Sequence, residues 1–449
     1  MARTDRNRRM IAPLATAMAL AAAACTTGAG RSPQEVRTIP QPPQIGDLPV
    51  APAEQRVDLE MPTFSNPAQV TNPLHPTAGV RSVLMVGTVD GKEFRTEVTT
   101  LPDTRVIEWG GQRVETVVSQ YVAYLDGRLH EVAYDFYAQA DDGSVWYFGE
   151  DVFNFVDGAI ANTHGTWIAG KDGPAAMIMP GNPSVGDTYR PENVPGLVFE
   201  EVRVKSVDRP LKGPMGRIDG GLLVEELHMD GTYEDKTFAP GYGEFYTAGG
   251  GDVEALAMAV PTDGASGPVP EELATLADRS VDALEAALAE DWRTARRAAD
   301  RVAAAWDAFR GADIPRTIEP RMTRDVRSLL AAFEARDAGG AGQAAIDTAR
   351  WAYDLQLRHR PVMQVDRARL DLWAAQMILD ARAGDADAVR GDLFSIDYHR
   401  DRIQHTWSEQ DAARINLLLE ELHGAVGEED LKTSADLAGR LREMLAGTR

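Results

Sequence analysis

The sequence predicts an α+β chain of two domains, an antiparallel β meander curled into a barrel or half-barrel followed by an all-α domain of helical hairpins, packed as a bundle or a short solenoid. Three observations predict it. From Val80 apolar residues recur with a period of two, as in Ser82-Val83-Leu84-Met85-Val86, Val114-Glu115-Thr116-Val117-Val118 and Val145-Trp146-Tyr147-Phe148. Turn dipeptides punctuate these runs at Asp90-Gly91, Gly110-Gly111, Asp126-Gly127, Asp142-Gly143, Asp157-Gly158 and Asp172-Gly173. Such pairs accept the positive φ that a tight hairpin demands, so the strands are antiparallel neighbours. After Glu271 the texture changes to Ala, Arg, Leu and Asp, and Leu370, Trp373, Ala374, Met377, Ile378 and Ala381 fall on one helical stripe, as do Ile415, Leu418, Leu419 and Leu422.

Taken in chain order, residues 1–24 read as an export signal. Arg3, Arg6, Arg8 and Arg9 stand against one acid, Asp5, and precede an apolar run that ends in Ala22-Ala23-Ala24-Cys25. The run is shorter than the roughly twenty residues a membrane-spanning helix needs. Small residues before the only cysteine of the chain have the form of a lipobox, although Ala22 stands where Leu is preferred. Cys25 is therefore the predicted lipid attachment point, carrying diacylglycerol and palmitate-type acyl chains; the alternative is an ordinary cleaved signal that leaves a stray thiol. The expected location is extracytoplasmic, as a cell-membrane lipoprotein at the surface or in the periplasm. With one cysteine no internal disulfide can form, so packed cores must supply the stability.

Residues 25–63 are a Pro-rich tether, with Pro33, Pro40, Pro42, Pro43, Pro49, Pro52 and Pro62 favouring an extended spacer whose end docks through Phe64 and Leu74. The β domain spans 64–262, with later strands at 198–207, 221–228 and 244–247. Pro261, Gly264, Gly267, Pro268 and Pro270 mark a linker over 263–272, and the helical domain fills 273–449. Within it Asp291, Asp337, Asp385 and Asp430 recur at intervals of 46, 48 and 45 residues, each placed to cap a helix N-terminus, which implies four hairpins.

Charge restricts the partners. The formal charge is −23, and about −26 once residues 1–24 are removed, so nucleic acid is excluded as a partner. Residues 1–270 hold −15 of the total and residues 271–449 hold −8. An anionic bilayer would repel such a chain, which suits a lipid tether better than a basic patch.

The residues that chemistry requires are mostly missing. No G-x-S-x-G elbow occurs, and Cys25 is committed to the anchor. Gly87-Thr88-Val89-Asp90-Gly91-Lys92 has the wrong spacing for a phosphate loop and reads as a hairpin turn. Glu420-x-x-His423 has ferritin-like spacing but no second helical copy, since Glu225-x-x-His228 lies on a strand. Asp397, Asp401 and His405 share a helical stripe and, with Asp354 and His359 from a preceding helix, form a candidate divalent-cation site; a solvated face is the plain alternative. Glu150 and Asp151 are adjacent on a strand and face opposite sides, so they cannot flank one glycosidic bond. Tyr134, Phe136, Tyr137, Trp146, Tyr147, Phe148 and Phe155 are core residues or the lining of a ligand groove.

Tyr134-Asp135-Phe136-Tyr137, Ser144-Val145-Trp146-Tyr147-Phe148-Gly149-Glu150-Asp151, Gly165-Thr166-Trp167, Met179-Pro180, Val185-Gly186-Asp187 and Phe238-Ala239-Pro240-Gly241-Tyr242-Gly243 together resemble a family of uncharacterised secreted bacterial proteins. The resemblance covers about residues 64–250, departs at Phe136 where the family has Trp, and implies no activity and no catalytic residue. The function expected from the sequence is a non-catalytic envelope lipoprotein that binds or adapts, held to the membrane by its N-terminal diacylglycerol, with an envelope protein or a small apolar ligand as partner and no cofactor. The alternatives are an extracytoplasmic divalent-cation-binding protein using the helical Asp and His residues, and a hydrolase of unrecognised type.

Overall fold

The computed structural model describes residues 37–447, apart from 40, 42–45 and 47. Cys25 and the segment expected to be an export signal lie outside the described residues. Fourteen strands form one antiparallel sheet: β1 (Ser82–Val89), β2 (Lys92–Trp109), β3 (Gln112–Leu125), β4 (Arg128–Gln139), β5 (Val145–Val156), β6 (Ala159–Asn162), β7 (Trp167–Ile168), β8 (Ala176–Met179), β9 (Thr188–Val194), β10 (Val198–Lys212), β11 (Arg217–His228), β12 (Tyr233–Ala239), β13 (Gly243–Gly249) and β14 (Asp252–Val260). The first and last strands pair in the middle, giving the order β6-β5-β4-β3-β2-β1-β14-β13-β12-β11-β10-β9, with β7 and β8 added on β5. Among the described residues this ladder does not close, so the sheet is open and curled, and the closed-barrel alternative is not met.

Four of the six expected turn pairs take the tight-hairpin form, while at Asp142-Gly143 only the glycine has positive φ and at Asp172-Gly173 neither residue does. Asp90-Gly91, Gly110-Gly111, Asp126-Gly127 and Asp157-Gly158 all take positive φ at both positions and join β1 to β2, β2 to β3, β3 to β4 and β5 to β6. Strands β12 and β14, which follow the like pairs Asp230-Gly231 and Gly250-Gly251, lie beyond the strands expected from the sequence.

From Thr38 onward the described part of the Pro-rich stretch belongs to the compact unit formed by residues 38–449, so the docking expected at Phe64 and Leu74 begins earlier in the chain. Its Ile39 is 4 % exposed within the sheet core, and the Val57 amide donates to the Thr188 carbonyl at 2.9 Å. The physical reason is the edge of β9, whose backbone groups this segment covers through a bridge from Arg56 to Thr188.

Eight α-helices follow among the described residues: α1 (Glu271–Leu288), α2 (Trp292–Phe309), α3 (Glu319–Ala335), α4 (Ala338–Gln356), α5 (Val362–Ala383), α6 (Ala386–Ile403), α7 (Glu409–Gly427) and α8 (Leu431–Gly447). The four recurring aspartates cap the second helix of each hairpin, accepting from the amides of Thr294, Gly340, Ala388 and Thr433 at 2.9–3.1 Å. None of the helices is long and apolar enough to cross a membrane.

The helices pack on one face of the central strands. Leu84, Val86 and Ala257 join the core of α1–α4, whereas Val122, Tyr124, Val132 and Phe155 join that of α5–α8, with the Tyr124 ring stacked on Trp373 at 5.1 Å. Strands β1, β3 and β4 thus bury both faces over most of their length, one against helices and one in the hollow of the sheet.

Gly158 shows how closely the two layers meet. Its φ is +69°, and a Cβ there would overlap the Asp387 carbonyl and crowd the Gly391 amide on α6. Gly158→Ala is expected to lose about 1–3 kcal/mol more stability than Gly127→Ala, whose φ of +75° is alike but whose surroundings are open. Urea unfolding midpoints of the two variants measure that difference.

Candidate functional site

The hollow of the sheet collects carboxyl groups by strand register. Glu192 on β9 faces Glu200 on β10, which faces His228 on β11. Two residues along β11, Glu226 faces Glu234 on β12. Lys236, two further along β12, lies opposite Thr247, which in turn faces Glu254 on β14. On the other wall Asp135 of β4 faces Glu150 of β5, below the stacked rings of Tyr137 and Tyr147 at 4.9 Å. Because side chains alternate across a strand, each set shares one face, and curling brings the sets together.

They enclose a cavity of about 200 Å³ with a mainly apolar wall that includes Met85, Val98, Ile178, Val202 and Phe238. Five carboxyl groups line it, those of Asp135, Glu200, Glu226, Glu244 and Glu254, against the single ammonium of Lys236. A more open space of about 390 Å³ continues past Tyr121, Lys236, Glu244 and Glu254, which border both.

The contacts are specific. Lys236 Nζ reaches Glu226 Oε1 at 3.0 Å and Glu234 Oε1 at 3.4 Å, and the His228 ring lies 3.5 Å from both Glu200 and Glu234. Tyr147 donates to Asp135 Oδ1 at 2.8 Å. The Tyr189 side chain is 0 % exposed, and its hydroxyl has no partner among the described residues.

Low dielectric and like charge then decide who is ionised. Burial opposes the charge on Glu200, but Lys236 and His228 outweigh it and bring its pKa down to about 2. Burial and the charge on Glu200 push Glu226 well up, so this pair holds its proton on Glu226. Burial raises Asp135 to about 7, Glu254 to about 7 with help from Glu244, and Glu192 to about 8 with help from Glu200. Hydrogen bonds to Glu200 and Glu234 lift His228 to about 10, so it is a cation at neutral pH. Burial lowers His75, which borders the cavity, to about 4 and leaves it neutral.

The helical cation site predicted from the sequence is not assembled. Helix α6 ends at Ile403, so His405 sits in a following 3-10 turn, off the stripe of Asp397 and Asp401. Asp354 is bound by Arg95 at 2.8 Å and Arg369 at 2.6 Å. Asp397 is taken by His423 at 2.7 Å, and Asp401 pairs with Arg400 at 2.8 Å and accepts from the Tyr134 hydroxyl at 3.2 Å. Two of the five, His359 and His405, both border one cleft between sheet and helices. Of the aromatic set Tyr137 lines the cavity, Tyr147 stacks on Tyr137, and Phe136, Trp146, Phe148 and Phe155 are core; Glu150 shares the face of Asp135, whereas Asp151 pairs with Arg105 at 2.8 Å.

A second buried set ties sheet to helices. Arg402 Nη1 meets Glu97 Oε2 at 2.8 Å, Arg95 meets Glu97 at 2.7 Å, His399 lies 3.3 Å from Glu97, and Arg369 meets Asp366 at 2.9 Å. Glu97 is 2 % exposed, Arg369 2 % and Asp354 0 %, so these ions are shielded from water.

Compared with protein-family models and with curated proteins, the chain matches none.

Proposed function

We propose that this is a non-catalytic, membrane-tethered binding protein of the cell envelope, held by diacylglycerol on Cys25, whose half-barrel sheet receives a small apolar ligand carrying an ammonium group. The observation that carries the reading is the excess of carboxyl over ammonium groups in a largely apolar cavity. Concave apolar sites with a few convergent polar groups and displaced pKa values are where small ligands bind. At about 200 Å³ the space is smaller than the roughly 300–1,000 Å³ that drug-sized ligands fill, which suits a compact amine. An entering cation lets Asp135 and Glu254 ionise, so binding releases protons.

Phenethylamine titrated calorimetrically into the full chain is expected to bind about tenfold more tightly at about pH 8 than at about pH 6, with proton release visible in buffers of different ionisation heat. Asp135→Asn combined with Glu254→Gln is expected to abolish that pH dependence. Equal affinity for the isosteric neutral alcohol would remove the charge argument. The tether is tested separately: Cys25→Ser is expected to move the protein from the membrane to the soluble fraction.

A divalent cation at Glu200, Glu226 and His228 is the second reading, favoured because one ligand atom from each lies within 4.8 Å of the others. It is the weaker one, since the metal would have to displace the proton of His228 and the ammonium of Lys236. Zinc titration with His228→Gln as control distinguishes it.

A further inference from the structure

We propose a separate binding site for a small phosphate monoester in the cleft between the sheet and the helical half. The cleft has a volume of about 730 Å³ and lies among the end of β2, the residues after β14, the α4–α5 connection, the start of α5 and the end of α6. In a chain of formal charge −23 its lining reverses sign: Arg81, Arg358, Arg360 and Arg402 stand against one acid, Asp366.

Two donors in the cleft are unspent. The Arg402 side chain is 0 % exposed, with Nε on Gln120 at 2.6 Å and Nη1 on Glu97 at 2.8 Å, while Nη2 has no partner among the described residues. Thr99 is 5 % exposed, and its Oγ1 likewise has no partner among them. Buried donors are normally satisfied, so an orphan guanidinium nitrogen and an orphan hydroxyl bordering one cavity point to an acceptor that enters it.

The backbone adds to this. Helix α5 begins at the cleft with Pro361 as its N-cap, no side-chain cap and no acid in its first turn, leaving amide groups and the positive end of the helix directed at the space. Because this helix runs for 22 residues, its terminus is a full one.

The charge count selects the ligand. Arg402 is matched by Glu97 and Asp366, and Arg358 donates to the carbonyls of Asp263 and Asp313. Arg81 and Arg360 are exposed and pair with no acid among the described residues. Two spare guanidinium groups match the charge of about −2 that a phosphate monoester carries near neutral pH, whereas a carboxylate would leave one unmatched. Leu357, Val362 and the exposed Met363 offer an apolar wall for the rest of the ester.

The test is a titration of the full chain with phenyl phosphate, followed by calorimetry. Binding in the micromolar to low millimolar range is expected, weaker by about tenfold for benzoate. Arg81→Ala with Arg360→Ala, both exposed and free to change without harming the fold, is expected to weaken phenyl phosphate by at least about tenfold. Thr99→Val removes an unpartnered hydroxyl and is expected to cost several-fold in affinity with no loss of stability. Competition by phosphatidic acid vesicles, but not by phosphatidylcholine vesicles, assigns the ester to a lipid headgroup, and its absence assigns it to a soluble ester; either supports the site. No binding at about 10 mM, or affinity unchanged in the double variant, overturns it.

Discussion

Glu97→Ala is expected to lower the stability of the folded chain by about 3–5 kcal/mol, read as a shift of the urea unfolding midpoint. The carboxylate is 2 % exposed and receives Arg95, Arg402 and the His399 ring, with Arg369 at 3.6 Å. Removing it leaves buried guanidinium groups short of a counter-charge, which costs far more than the pair itself contributes. Burial opposes ionisation of Glu97, but Arg369 and Arg95 outweigh it and hold its pKa well below the ordinary carboxylate value. A depressed folded pKa contributes stability that is present above the unfolded value of about 4.5 and is lost as pH falls through the folded one. The gap between the natural chain and Glu97→Gln is therefore expected to close in acid. A loss under about 1 kcal/mol for Glu97→Ala would show that sheet and helices are held by apolar packing alone.

Stability is expected to fall, not rise, between about pH 5 and pH 8, and Asp135→Asn is expected to remove on the order of 2–4 kcal/mol of that change. Asp135 has its pKa raised by burial from 3.8 to about 7, and Glu254 and Glu192 are raised to about 7 and about 8. A raised folded pKa means that the unfolded chain gives up the proton first. The stabilisation is then complete below the unfolded value and is lost as pH climbs through the folded one. This runs against the usual behaviour of a protein whose acids are paired. Urea unfolding at successive pH values checks it, and a profile that rises with pH would mean that the cavity carboxyls are solvated. A bound ammonium is expected to flatten the same profile, which connects the energetics of the hollow to its use.

Much of the architecture is legible in single residues. Asp-Gly and Gly-Gly pairs located four hairpins because positive φ is a local property of those residues. The four aspartates near residues 291, 337, 385 and 430 located the helical repeat because an N-cap is satisfied within three residues of itself. The helical stripe from Leu370 to Ala381 on α5 was likewise readable, but the separate stripe of Asp397, Asp401 and His405 was not, since α6 stops at Ile403.

The cavity is different in kind. Alternation states that Glu226 and His228 share a face, or Glu234 and Lys236, but it does not state which face or what lies opposite. The relevant signal in the sequence is two charged residues two apart on each strand, Glu226 and His228 on β11 and Glu234 and Lys236 on β12. Only pairing across β9, β10 and β11 puts Glu192 beside Glu200 beside His228, and only curling brings Asp135 and Glu150 to the same hollow.

What the sequence by itself determined is therefore local: strand and helix texture, turns, caps, the change of character near residue 271 and the expectation of export. What the tertiary structure decided is the open, curled form of the sheet, the helices laid on its other face, the acidic hollow and the basic cleft. The division has a physical reason. Dihedral preferences and caps act over a few residues, whereas charge environment depends on groups such as Glu97 and Arg402, brought to 2.8 Å across about three hundred residues of chain.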